Sequence, residues 1–130
     1  MAELHVELVS PEREIWSGDA HMVVAKTADG DIGVLPQHEP VLGSLVDGVV
    51  RVLDESDEEI VRAAVHGGFL SVANDRVSIL AESAELGSEV DVAATRTRYE
   101  EALGSADGDE EAQAEVRRAR ASLRAAGEDV

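Results

Sequence analysis

The side chains able to do chemistry here are four histidines and 28 Asp or Glu residues, with no cysteine anywhere. Without cysteine there is no thiol nucleophile, thiolate zinc site or disulfide. The grouping best suited to a cation is Asp29, Asp31, His38 and Glu39, carboxylates and an imidazole within one loop-like segment. Such donors suit a divalent metal, so a metal-dependent hydrolase built around Asp31, His38 and Glu39 is one reading. Exposed polar loop residues are the plainer one. His5 and His21 fall at polar positions of strand-like segments and His66 precedes a glycine pair, so these three read as surface or hydrogen-bonded structural residues. No H-E-x-x-H, G-x-S-x-G, phosphate loop or G-x-G-x-x-G run occurs. Gly67-Gly68 has no Lys, Ser or Thr at phosphate-loop spacing and reads as a backbone corner between two strands. The lone Trp16, before Ser17-Gly18, reads as a core cap at a strand end.

The charge balance narrows the partners. Eleven Lys and Arg against 28 acids give a net charge of −17, so phosphate backbones and anionic lipid heads would repel the chain. That argues against a nucleic-acid binder. No run reaches the roughly 18 apolar residues of a membrane span, and Met1 to Pro11 lacks the basic start and apolar middle of a signal peptide, so a cytosolic location is expected. With 130 residues there is room for one medium domain, or a small one with an appendage. Apolar residues make up 44%, but Trp16, Phe69 and Tyr99 are the only aromatics, so the core must be aliphatic.

The elements that position these residues fall into two kinds. From Glu3 to Leu8 polar and apolar residues alternate, the period of a half-buried strand. Short apolar, β-branched runs then recur over 14–16, 21–27, 32–35, 41–46, 49–53, 59–65, 69–73 and 77–81, separated by turn signals such as Ser17-Gly18, Asp29-Gly30, Asp47-Gly48, Gly67-Gly68 and Asn74-Asp75. That is the pattern of an antiparallel β-sandwich or flattened barrel. Near Gly87 the composition turns to Ala, Arg and Glu, which places a boundary between 1–87 and 88–130. Asp91 reads as the N-cap of a helix running to about Leu103, with Val92, Tyr99, Ala102 and Leu103 on one side and Gly104 ending it. Ala112, Val116, Ala119, Leu123 and Ala126 fall on one face of a second helix, with its acids early and its arginines late as the macrodipole prefers. Two helices joined by a short turn pack antiparallel. Alanine supplies most of that face, so the hairpin gains little from burial and reads as marginal and detachable. Composition and periodicity thus describe an acidic β-sandwich with a loose helical hairpin; a free-standing adaptor for a basic protein would fit them.

Particular segments go further. The run Asp29-Gly-Asp-Ile-Gly-Val-Leu-Pro-Gln-His-Glu-Pro-Val-Leu42 resembles the signature loop and strand of the epsilon subunits of rotary F-type ATP synthases. Leu8 to Gly18, Gly67 to Val72 and Val77 to Glu85 agree with that family in order and spacing, over about Glu3 to Glu85. The resemblance implies a β-sandwich followed by two helices, in a central-stalk subunit that performs no catalysis. It would join the gamma subunit to the c ring, and so meet the membrane only indirectly, on the cytoplasmic face of the plasma membrane. In many bacterial members the helical pair either folds on the sandwich or extends towards the alpha and beta subunits, restraining ATP hydrolysis. Here the hairpin residues in question would be Asp91, Tyr99, Val116, Arg117, Arg120, Leu123 and Arg124. The resemblance further implies that Asp31 faces the polar loop of the c ring, with His38 in the same loop. Some members bind ATP through Ile/Leu-Asp-x-x-Arg-Ala at the first C-terminal helix. The corresponding run is Val90 to Thr95, where Ala94 replaces the arginine and Thr95 the alanine, so no functional nucleotide site is expected. A second helix of about 16 residues spans only about 24 Å, a short reach for a brake on a distant subunit.

Overall fold

The computed structural model describes residues 3–130; Met1 and Ala2, the start of the expected 1–87 unit, lie outside the described residues. Eight strands come first: β1 (Leu4–Val9), β2 (Glu14–Ala20), β3 (Met22–Thr27), β4 (Gly30–Val34), β5 (Val41–Leu45), β6 (Gly48–Leu53), β7 (Glu59–Ala73) and β8 (Arg76–Leu86). A 3-10 turn at Gly87–Glu89 leads to α1 (Val92–Ser105) and α2 (Glu110–Ala125). Alternation sets the sheet's faces: Leu4, Val6 and Leu8 are fully buried, while His5, Glu7 and Val9 point outwards.

Neighbouring strands run in the order β2-β1-β8-β7-β5-β3-β4, and β6 bridges β3 and β7. Because β5 and β6 both pair with β7 and both reach β3, the sheet curls back on itself into a flattened barrel. Its aliphatic interior includes Leu4, Leu8, Val23, Val52, Leu70 and Ile79, with Trp16 packed half-buried against it. One pairing departs from the expected antiparallel pattern: β1 runs parallel to β8, from His5 opposite Arg76 to Val9 opposite Leu80. These two strands are joined by the whole sandwich rather than by a tight turn, so nothing forces them antiparallel.

The glycine pair is also corrected. The two strands expected around Gly67-Gly68 are one 15-residue strand, β7. Along one edge β7 keeps a single register with β8, from Ala63 opposite Leu86 to Ala73 opposite Arg76. Along the other edge it changes partner at the glycines, from β6 to β5. Gly67 at φ +73° and Gly68 at φ +116° let the backbone bend there. Ser17-Gly18, read as a turn, lies inside β2, where the Trp16 ring covers Gly18 closely enough that a Cβ would come within 2.9 Å of it.

Both helix starts follow the capping chemistry. Asp91 accepts from Ala94 N at 3.1 Å, and Asp109 accepts from Glu111 N and Ala112 N. The end of α1 differs: Gly104 stays helical, the chain runs on to Ser105, and the left-handed residue is Gly108 at φ +76°. Leu103, expected inside, is 48% exposed; Thr95 is 1% exposed in its place, so the inward face of α1 is Val92, Thr95, Tyr99 and Ala102. α2 buries Val116, Ala119 and Leu123 as its spacing implies, and also Ala121, Ser122 and Ala125. It lies between α1 and strands β6 and β7, so two of its sides are covered.

A Cβ on Gly68 would stand 2.1 Å from the Leu80 carbonyl oxygen. Replacing Gly68 with Ala should cost about 3 kcal/mol or more, seen as a lower urea midpoint; an unchanged midpoint would mean β7 does not need this bend.

Candidate functional site

Three parts of the molecule bear on its candidate sites. The first is the strand carrying Asp31. Thr27 and Gly30 close the β3–β4 turn, with Thr27 Oγ1 donating to Gly30 O at 2.7 Å. Asp31 then sits exposed on β4, opposite Lys26. His38 is elsewhere. It is half-buried in the turn after β4, where His38 N donates to Leu35 O at 3.1 Å and the ring Nδ1 lies 2.7 Å from Glu39 O. Gln37 N in that turn donates to the Asp75 carboxylate of the β7–β8 turn. About 10 Å of extended strand separates Asp31 from the end of β4, so Asp31 and His38 lie towards opposite ends of β4 rather than in one loop. The same separation keeps Asp31 from converging with His38 and Glu39. Among the described residues no three His, Asp or Glu side chains form a metal-sized group.

The second part escaped sequence reading. On the outer face of the sheet, Val9, Leu80, Phe69 and Ser44 form a row across β1, β8, β7 and β5, because each is the register partner of the next. Leu42 stands one pleat along β5. Leu42 is 72% exposed, Phe69 55% and Leu80 52%, an apolar patch on an acidic molecule. The signal was present as alternation, since Phe69 and Leu80 are out of phase with the buried Leu70 and Ile79. It could not be read as one patch without the register.

The third part is the seam between α2 and the sheet. Its apolar content is small: Ala64 of β7 and Leu123 of α2 are both wholly buried, with Val116, Ala119 and Ala125 around them. Polar contacts add to it. His66 Nδ1 lies 3.3 Å from Asp47 Oδ1, and Arg117 Nε lies 3.8 Å from Asp47 Oδ2. Ser122 Oγ lies 3.5 Å from His66 Nε2 and donates to Glu85 Oε1 at 3.2 Å. Across the hairpin, the Arg120 guanidinium sits 5.8 Å from the centre of the Tyr99 ring and donates to its hydroxyl at 3.4 Å. Arg124 is exposed, with Nε donating to Val130 O at 2.9 Å and its own carbonyl accepting from Arg62. The structure therefore gathers Val116, Arg117 and Leu123 at the seam and pairs Tyr99 with Arg120. Asp91 acts only as a cap. His66, Asp47, Glu85 and Ser122 had no sequence signal, since they come from four separate segments.

The linker into the hairpin is tied down as well. Arg13, in the β1–β2 connection, forks onto Glu89, with Nη1 donating at 3.0 Å, and Glu89 also accepts from Leu86 N at 2.9 Å. The Arg13 hydrogen bond, then that from Leu86, holds the Glu89 carboxyl below its usual range, and Arg13 is raised in turn. Gly87 lets this linker pass against α2, since a Cβ there would meet Ala125 O at 2.1 Å.

Residues 3–87 match the family model described as ATP synthase, Delta/Epsilon chain, beta-sandwich domain. The chain belongs to this ATP synthase delta/epsilon family. An ATP synthase epsilon chain of Thermobifida fusca is 56% identical over 126 residues, covering 95% of this chain and 92% of that one. One of Streptomyces avermitilis is 51% identical over 116 residues, covering 89% and 93%. In fold, the chain is similar to one in the mitochondrial ATP synthase of Euglena gracilis, solved as OSCP/F1/c-ring in rotational state 1. That likeness has a TM-score of 0.73 and 25% identity, over 95% of this chain and 76% of that one. A central stalk and c-ring structure of Tetrahymena thermophila ATP synthase shares the fold at a TM-score of 0.55 and 19% identity, over 68% and 69%. The family relation covers the sandwich and, through the Thermobifida relative, the helical hairpin too.

Replacing Leu123 with Ala removes the largest wholly buried side chain of α2 and should weaken hairpin docking by about 2–4 kcal/mol. Hydrogen exchange would show α2 amides losing protection while β7 and β8 amides hold; equal loss in both would mean that hairpin and sheet unfold as one unit.

Proposed function

We infer that the chain is the non-catalytic epsilon subunit of a rotary ATP synthase and couples the gamma subunit to the c ring. What carries this is a relative named ATP synthase epsilon chain, matched over 95% of the sequence, together with the exposed apolar row on the sandwich. No helix among the described residues is long and apolar enough to cross a membrane, which fits a subunit peripheral to the embedded ring, on the cytoplasmic face.

The apolar row of Val9, Leu80, Phe69 and Leu42 is the surface we assign to gamma. Rotation puts shear on that contact, and apolar burial over several adjacent strands resists sliding better than isolated ion pairs, which water screens. Asp31 we assign to the c ring, where an exposed carboxylate can pair with a basic loop residue. It has no cationic partner within 4.0 Å among the described residues. His38, at the other end of β4, would then face a different neighbour from Asp31. The units 1–87 and 88–130 divide the work: the sandwich binds, and the hairpin restrains hydrolysis by leaving the sheet for the alpha and beta subunits. A seam of one leucine, one valine, alanines and shared hydrogen bonds suits a two-state element, because modest differential contacts shift its population.

Phe69→Glu should weaken co-purification with gamma at least tenfold, while Leu103→Glu, exposed on α1, leaves it unchanged; wild-type binding by the first variant would remove gamma from this face. Deleting 88–130 should raise ATP hydrolysis by the assembled enzyme severalfold, and unchanged hydrolysis would refute the restraint.

A further inference from the structure

The hairpin joins the sandwich through the three residues of the 3-10 turn and two extended ones, and the turn is gripped from outside the hairpin. Arg13 does the gripping. It stands in the β1–β2 connection, where Ser10 N donates to Arg13 O at 2.9 Å and Arg13 N donates to Ser10 O at 3.3 Å. Ser10 is itself buried, so the guanidinium is presented from a braced loop. Nη1 and Nη2 both donate to the Glu89 carboxylate, which also accepts from the backbone N of Leu86, the last residue of β8. One carboxylate thus fastens both ends of the turn to the sandwich. Exposed ion pairs are weak singly, because two long side chains must be ordered and water screens their charges. A forked guanidinium on a carboxylate that is already oriented by a backbone donor suffers less from both.

The bonds on either side of the turn decide where the chain can swing. Val90 N donates to Gly87 O at 3.3 Å, which closes the turn, while Asp91 O accepts from Thr95 N at 2.9 Å and the Asp91 side chain caps Ala94 N. Asp91 is therefore already part of the hairpin. Between the two, Val90 (φ −70°, ψ 127°) leads into Asp91 (φ −80°, ψ 96°) in extended backbone. Rotation about Val90 ψ and Asp91 φ moves α1 as a body and breaks neither the grip on Glu89 nor the helix cap, and a hinge needs only a few such torsions. Gly87, for its part, forms a seat for α2, since a Cβ there would stand 2.1 Å from Ala125 O and 3.3 Å from Arg62 O. Taking the release of the hairpin proposed above as given, we propose that Arg13 and Glu89 form a clasp that keeps residues 86–89 on the sandwich when the hairpin leaves. The hairpin then swings about Val90 and Asp91 and returns to a seat at Gly87 that has not moved. Without the clasp the turn peels away with α1, and the pivot passes back to the end of β8.

Because the chain has no cysteine, spin labels can be attached through introduced ones at the exposed positions Ser17, Ser88 and Glu101. Double electron–electron resonance on the full chain would follow Ser17→Cys with Ser88→Cys for the turn, and Ser17→Cys with Glu101→Cys for the hairpin, in a Leu123→Ala background that loosens docking. The expected result is a second, longer 17–101 distance beside a single 17–88 distance. Adding Arg13→Gln or Glu89→Gln should bring a second, longer 17–88 distance as well, and the two together should go no further than either alone, because they break one interaction. Arg76→Gln, whose partner is Glu7 on the outer face, should bring none. A second 17–88 distance with the clasp intact, a single one after Arg13→Gln, or effects of the two substitutions that add would each overturn the clasp. A single 17–101 distance in the Leu123→Ala background would instead show that the hairpin does not leave, which removes the release and the hinge with it.

Discussion

Strand β7 must serve two layers of the barrel at once. Its edge towards β8 keeps one register for the full length, while its other edge hands over from β6 to β5 at Gly67 and Gly68. A strand with side chains at those two positions could not make the bend, because the backbone there is left-handed and Gly68 lies almost against the Leu80 carbonyl. The rest follows from that handover. It allows β5 and β6 both to reach β3, which curls the sheet and encloses an aliphatic interior with one tryptophan at its margin. It also sets the two outer surfaces: Ala64 and His66, before the bend, face α2, while Phe69, after it, faces outwards in the apolar row.

The two outer surfaces are made of different chemistry, and the difference suits the roles proposed for them. The apolar row is large side chains on rigid, paired strands, a surface that loses little entropy when covered. The seam under α2 is small side chains and shared polar contacts. Alanine helices pack closely but remove little area from water, so hydrogen bonds from Ser122 and the Asp47, His66 and Arg117 group take a larger share of the specificity. In the roles proposed for them, the row is the permanent joint and the seam the releasable one, on either side of a single bend.

The charge distribution adds a third feature. Acids outnumber bases over the whole chain, yet the later turns of α2 carry four arginines, and Lys26, Arg120 and Arg124, which lie within 4.0 Å of no Asp or Glu oxygen among the described residues, line the space between α2 and the sheet. The linker is fastened independently, by Arg13 on Glu89, so release of α2 need not loosen the path of the chain out of the sheet. Linker and seam are therefore held by different side chains.

Sequence by itself determined the kinds of element and most of their places, because those depend on neighbours in the chain. Alternation marked β1 and the short strands, Asp91 capped the first helix, and spacing placed Val116, Ala119 and Leu123 inwards. The family resemblance could be read from contiguous segments for the same reason. Tertiary structure decided whatever needed two distant segments to meet. That includes β1 lying parallel to β8, β7 continuing as one bent strand past its glycines, Thr95 replacing Leu103 in the interior, and the separation of Asp31 from His38. It also includes the apolar row and the His66 seam, assembled across strands whose register no local pattern encodes. Short-range chemistry limits each residue to a few conformations, but which surfaces face each other is settled only when the whole sheet closes.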